Sequence, residues 1–240
     1  MSILGATGFE FRHRYWFIFG IFWLSFGLYN VDPVNAAAAL AGLAADPHSN
    51  AFRWELRALF LVGALLTAAG AGLRTWGTAY LRPEVMRDHR LHAERLTADG
   101  PFRHVRNPLY LGNILMAAGM GLSASRMGAA TLVALMTLFG CRLILREEAA
   151  LEAAQGEDYA AYRAAVPRLL PALRPRVPAS GNEPAWGPAF LAEAMIWFFA
   201  LALGALAVTL SEHLFWILLA AGIVGSILLH PKGARLLRIS

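Results

Sequence analysis

One cysteine, Cys141, is present in 240 residues. No intrachain disulfide can form from it, and no Cys-x-x-Cys metal or redox site exists. Its place inside an apolar run marks a small core residue. Charge is also scarce. Asp, Glu, Lys and Arg make up 15% of the chain and hydrophobic residues 58%, against about 25% and 45–50% in soluble domains. That balance excludes an ordinary soluble domain. Repeats of fixed period are missing, and low-complexity sequence is confined to alanine runs. There is no convincing metal cluster, because His89 and His92 form an isolated loop pair. The net charge of +5 is not the footprint of a nucleic-acid binder. The arginines lie in short clusters between apolar runs, the pattern that orients membrane proteins.

The apolar runs come next. A helix crosses a bilayer with roughly 17–25 apolar residues. Six candidate spans are read, at about 15–29, 56–80, 108–123, 127–145, 188–210 and 214–229. An alanine-rich stretch at 34–45, after the Asp32-Pro33 turn, is too short to span and is expected at the outer interface. Basic residues alternate with these spans. Arg12 and Arg14 precede the first, and Arg82, Arg87, Arg90, Arg95, Arg103 and Arg106 separate the second from the third. Arg146, Arg163, Arg168, Arg174 and Arg176 follow the fourth, and Lys232, Arg235 and Arg238 follow the sixth. The alternate loops hold only Arg53, Arg57 and Arg126. The positive-inside rule then predicts an all-α, multi-pass integral membrane protein of about six transmembrane helices with both termini cytoplasmic, in the inner or plasma membrane if bacterial. A cleavable signal peptide shares the basic start and apolar run. The bulky aromatic character of that run and the membrane-embedded remainder favour an uncleaved first span. The expected organisation is an N-terminal hairpin and outer loop (1–54), a membrane core (55–178) and a C-terminal two-helix extension (179–240).

Two polar stretches carry chemistry. In the first, Asp99 to Gly112, Gly100-Pro101 forces a turn and Arg103 and Arg106 follow at spacing three. Asn107-Pro108 reads as helix cap and first helical residue, since proline lacks the N–H that a first turn leaves unpaired. A positive helix end flanked by arginines suits a carboxylate or phosphate. In the second, the fourth span leaves lipid at Arg142-Leu143-Ile144-Leu145-Arg146-Glu147-Glu148. Adjacent carboxylates at such a boundary are costly unless solvated or paired. One reading is a solvated helix end with Arg142 and Arg146 snorkelling; the other is a receptor for a cationic, hydroxyl-bearing ligand. Gly70-Ala71-Gly72 reads first as close helix packing, and Arg74 after it as a snorkelling residue. Glu193, about 10 Å inside the fifth span by helix rise, is expected to pair with an arginine or line a substrate path.

Taken in order, these segments resemble the membrane superfamily of isoprenylcysteine carboxyl methyltransferases and phospholipid N-methyltransferases. The resemblance covers about 65–171. It rests on the Gly-x-Gly, the Gly-Pro-aromatic turn, the Arg-x-Pro-x-Tyr-x-Gly segment, the Glu-Glu pair, and the Gly-x-x-Tyr-x-x-Tyr-x-x-x-Val-Pro-Arg tail from Gly156 to Arg168. It implies transfer of a methyl group from S-adenosylmethionine to a lipophilic acceptor, such as a prenylated thiol or carboxylate or an amino lipid. It also implies a cytosolic-side cofactor site formed by the C-terminal helices of the core. Carried over, the cofactor positions are Gly70, Gly72, Arg103, His104, Asn107, Tyr110, Leu111, Gly112, Glu147 and Glu148. Arg106, Asn107 and Tyr110 take the catalytic place, and Arg142, Tyr159 and Tyr162 the substrate place. Asn107 stands where the family usually has histidine; it can hydrogen-bond but does not titrate near neutral pH. His104, three residues earlier, is the alternative imidazole.

The physics of such a ligand agrees with the residues. Carboxylates accept from an ammonium and ribose hydroxyls, and an arginine at a helix end holds a carboxylate. Direct displacement needs alignment above all and no metal. The expected partners are a lipid-like substrate and the bilayer, with no nucleic acid and no metal. Two alternatives stand beside this reading. A membrane reductase of the sterol reductase type, using NADPH, shares the Arg-x-Pro-x-Tyr-x-Gly segment, but its multiply negative cofactor would meet repulsion from Glu147-Glu148. A non-catalytic scaffold or transporter half would carry polar residues at mid-depth of several spans, and these spans are almost clean there.

Overall fold

The computed structural model of the chain describes residues 4–81 and 98–229. Arg82, Arg87, Arg90, Arg95, the His89–His92 pair, Lys232, Arg235 and Arg238 lie outside the described residues. Among those described, every regular element is helical. The elements are α1 (Gly8–Arg12), α2 (Arg14–Gly27), α3 (Ala36–Ala44), α4 (Asn50–Leu81), α5 (Pro108–Gly121), α6 (Arg126–Gln155), α7 (Glu157–Ala165), α8 (Trp186–Ala192), α9 (Ala194–Thr209) and α10 (Glu212–Leu229).

Local chemistry sets several helix ends. Asn35 and Ser125 are extended residues whose side chains accept from the N–H groups of Ala38 and Gly128, so each satisfies a donor that a helix start leaves orphaned. Gly156 takes a φ of +54°, which stops α6 and lets α7 set off in a new direction. Pro108 is the first residue of α5, as the sequence predicts. Asn107 is not its side-chain cap: its side chain makes no capping hydrogen bond and points elsewhere.

The two long helices are α4, with 32 residues, and α6, with 30; by helix rise they run about 48 and 45 Å. α5 packs against both, α2 lies along α6, α9 lies along α4, and α10 lies along α9. Glycines let α4 and α5 touch. A Cβ on Gly119 would sit 2.4 Å from the Gly63 carbonyl oxygen, and one on Gly70 2.6 Å from that of Gly112. Backbone therefore meets backbone at two levels one heptad apart, the close packing that small residues permit in lipid.

α4 and α6 are long and apolar enough to cross a membrane, and α8 with α9 makes a third such element if their 63° bend falls within one span. The described helices therefore do not supply six full-length spans. α2 and α5 have 14 residues each, about 21 Å of rise against a hydrocarbon core of about 30 Å. The first apolar run ends early because a 3₁₀ turn at Leu28–Asn30 breaks it. The fourth run extends the other way: α6 continues past Leu145 to Gln155, carrying the Glu pair inside a helix. A cavity of about 510 Å³, walled by Phe26, Leu56, Phe60, Leu206 and Phe215, opens at the end where α6 begins. Glu148 lies 22 residues further along α6 than Arg126, roughly 33 Å away by helix rise.

Candidate active site

The site is built around the loop that enters α5. Gly100 has a φ of +55° and stands against the Tyr80 ring, where a Cβ would come within 2.4 Å of it. Left-handed backbone and a close approach both require glycine here. Pro101 and Phe102 are buried behind it. The segment after α7 then lies along this loop. The Arg106 N–H donates to the Pro167 carbonyl at 2.9 Å, Ala172 N–H to the His104 carbonyl at 2.9 Å, and Arg176 N–H to the Arg103 carbonyl at 2.8 Å. Asp99 anchors the far end of this strap. Its carboxylate accepts from the N–H groups of Ser180 at 2.7 Å and Asn182 at 3.2 Å, and from the Asn182 side chain at 2.6 Å. Burial works against its ionisation, but these donors together outweigh burial and hold the carboxyl below its ordinary value.

Glu148 is the centre of the charged cluster. Arg106 donates to it through Nε at 3.2 Å and Asn107 through Nδ2 at 3.1 Å. Arg168 grips it through Nε at 3.1 Å and Nη2 at 2.7 Å. Arg106 is itself buried, and its other amino group donates to the carbonyls of Arg163 and Val166 at the end of α7. One guanidinium thus joins α6, the α5 entry and the last turn of α7. Asn107 also donates to the Arg168 carbonyl at 3.2 Å, which explains why its side chain does not cap α5. Glu148 is therefore a buried, doubly paired carboxylate rather than a solvated helix end. Its hydrogen bond holds the half-exposed Arg168 guanidinium above its ordinary pKa.

Glu147 faces the next sector. It accepts from the Tyr110 hydroxyl at 2.7 Å, and the charge of Arg14, from the start of α2, acts on it. Tyr159 and Tyr162 are buried in a small cluster with Val166, and Tyr162 donates to the Phe102 carbonyl at 2.8 Å. Burial, with the nearby Glu148 charge, pushes the Tyr159 phenol up to about 12, and burial raises Tyr162 as well.

The remaining positions divide. Arg103 donates through Nε to the Val177 carbonyl at 2.9 Å, and the His104 Nδ1 lies 2.8 Å from the Ala172 carbonyl, so both tie down the strap. Gly70 and Gly112 pack on one another, whereas a Cβ on Gly72 would meet only Trp197, at 3.9 Å. Leu111 begins the α5 hydrogen-bond ladder by donating to the Asn107 carbonyl. Arg142 is not in the cluster; it pairs with Glu10 of α1 at 2.8 Å. Arg74 does not snorkel but turns inward to Glu193. Arg168 is the partner that sequence reasoning left out of the site. The signal was the need of a carboxylate at a lipid boundary for a cation, with an arginine closing the Val-Pro-Arg tail. Among the described residues no group of three His, Cys, Asp or Glu side chains is placed to hold a metal.

The helix that starts Arg-Asn-Pro-x-Tyr-x-Gly thus faces the Glu-Glu pair on the neighbouring helix. Residues 58–158 match the phospholipid methyltransferase family model. The match is consistent with the wider isoprenylcysteine and phospholipid methyltransferase superfamily. It points to methyl transfer with a lipid-type substrate in a membrane protein. The matched segment holds Gly70, Arg106, Tyr110, Glu147 and Glu148, and it ends before Arg168. No curated protein and no solved structure matches the chain.

Proposed function

We propose that the chain transfers a methyl group from S-adenosylmethionine to a lipophilic acceptor that reaches the site from the bilayer. The observation that supports this most is the α5 entry set against Glu147 and Glu148 inside the family segment. The donor set suits such a cofactor. Glu147 uses one carboxylate oxygen for Tyr110, which leaves the other to accept from an ammonium or a ribose hydroxyl. Since the Asn107 side chain does not cap α5, the first-turn N–H groups there are available to a carboxylate, with Arg168 half-exposed beside them.

The cofactor supplies an activated methyl on sulfur. The chain binds and aligns. Glu148 orients Arg106, Asn107 and Arg168; Tyr110 donates its hydroxyl hydrogen bond to the Glu147 carboxylate; the strap fixes the loop that enters α5 through its backbone hydrogen bonds. No imidazole stands at position 107, so the acceptor's proton is not taken there. We place this end of the molecule, with both termini, on the cytoplasmic side.

Two arginines neutralise Glu148, so carboxylate repulsion of NADPH rests on Glu147, and the preference for methyl transfer rests on the family segment.

Titration calorimetry in detergent decides between them. The parent is expected to bind S-adenosylhomocysteine saturably and NADPH weakly or not at all; the reverse order overturns the proposal. Glu148→Gln is expected to weaken S-adenosylhomocysteine roughly ten- to a hundredfold by loosening Arg106, Asn107 and Arg168, whose hydrogen bonds to the charged carboxylate are worth about 1.5–3 kcal/mol each. It should also lower thermal stability, since it leaves Arg106 short of a counter-charge.

A further inference from the structure

Glu193 is the most deeply buried acidic side chain among the described residues, 1% exposed, at the junction where α8 and α9 meet at 63°. It lies outside the family segment. Arg74 on α4 grips it with two donors, Nε at 2.8 Å and Nη2 at 2.9 Å, and Thr78 adds a hydroxyl at 3.0 Å. The third nitrogen of Arg74 donates to Asn113 Oδ1 on α5 at 2.7 Å. The stem of Arg74 lies against Gly112, where a Cβ would come within 2.5 Å of its Cγ. A continuous line therefore runs from the C-terminal helices, through Arg74, to the turn of α5 that follows Tyr110.

A buried ion pair is a poor source of stability compared with apolar residues of the same volume; its best-attested use is to fix register. Leu109 and Met116 of α5, and Leu122 just after it, pack over Gly77, Gly70 and Gly63 of α4, but these apolar contacts are not directional, whereas the Arg74 hydrogen bonds are. We propose that Glu193 is a positioning residue for the site: through Arg74 and Asn113 it sets where α5 stands along α4, and so where Tyr110 and the α5 entry stand against Glu147 and Glu148. The C-terminal helices are then part of the methyltransferase unit. The inference rests on the proposed function for its binding readout and on hydrogen exchange for its mechanical one.

Three variants test it: Asn113→Ala, Glu193→Met, and the double Arg74→Met/Glu193→Met. Thermal stability, S-adenosylhomocysteine affinity and amide exchange across 109–116 are measured on each in detergent. Glu193→Met alone strands a buried guanidinium and is expected to melt well below the parent. The double variant removes both charges and is expected to recover most of that loss, yet to bind roughly tenfold more weakly and exchange faster across 109–116. Asn113→Ala leaves the ion pair in place and is expected to show the same weakened binding with a melting temperature close to the parent's; it carries the test if the double variant does not fold. A purely structural pair predicts the opposite, parental affinity and exchange wherever stability is parental, and that result overturns the proposal. If the parent does not bind S-adenosylhomocysteine, the proposed function fails, and faster exchange in Asn113→Ala and the double variant still decides whether the link exists.

Discussion

Asp99 shows what a single side chain contributes at this end of the molecule. It is 2% exposed and accepts three hydrogen bonds from the strap. Because its folded pKa lies below the ordinary 3.8, its contribution is present above that value and is lost as pH falls through the folded one. Asp99→Asn is expected to cost about 2 kcal/mol at pH 7, the middle of the range for hydrogen bonds to a charged group. In a chain of this size that is roughly 4–8 °C of melting temperature. The gap between variant and parent should be constant above 3.8 and shrink progressively as pH falls below it; melting curves in detergent across that range check it, and a gap that does not change with pH would mean that the charge is irrelevant. At this scale the sequence was only partly legible. Arg-Asn-Pro-x-Tyr-x-Gly and Glu-Glu were visible as words, but spacing along the chain does not say which of Arg103, Arg106 and Arg168 reaches Glu148. Nor does it say that Asn107 turns from its own helix to that carboxylate. Three of the strap's hydrogen bonds to residues 103–106 join backbone to backbone, which leaves no trace in side-chain pattern.

Helix α5 shows how an element is placed without large side chains. Gly70→Ala should force α4 and α5 apart, because the new methyl would meet the Gly112 carbonyl and Met116. Overpacking of this kind costs about 1–3 kcal/mol. Gly72→Ala, two residues on, enters open space beside Trp197 and should leave stability unchanged or slightly raised, since alanine is the better helix former. A thermal-shift comparison separates the two; equal loss at both would mean that the crossing is not glycine-limited. The start of α5 was readable because proline restricts the residue before it and fits a helix's first turn. The number of spans was not. Apolar composition marks what can enter lipid, whereas the breaks at Leu28–Asn30 and Glu193 fall inside apolar runs that hydropathy reads as continuous.

On the scale of the whole molecule, the Glu147–Glu148 cluster lies toward one end of α5 and α6, and the apolar cavity and the Asp32–Arg126 pair lie at the other. If the arginine-rich end faces the cytoplasm, cysteines placed at Ala164 and at His48 in a Cys141→Ala background should differ in reach. An impermeant thiol reagent added outside is expected to label position 48 and spare 164; labelling of 164 but not 48 would invert the orientation. Arg106 has a further consequence. Its guanidinium donates through Nε to Glu148 and through one amino group to two carbonyls at the close of α7, and the second arginine on Glu148 comes from beyond residue 158. What can be recognised by descent and what can be moved as a working part are therefore different lengths of chain. A graft of 58–158 into another membrane scaffold would transfer the Arg-Asn-Pro-x-Tyr-x-Gly segment and the Glu-Glu pair while stripping Glu148 of one of its two cations and the α5 entry of the strap that fixes it. Such a chimera would keep the stretch that matches the family model and would meet its ligands with a different local charge.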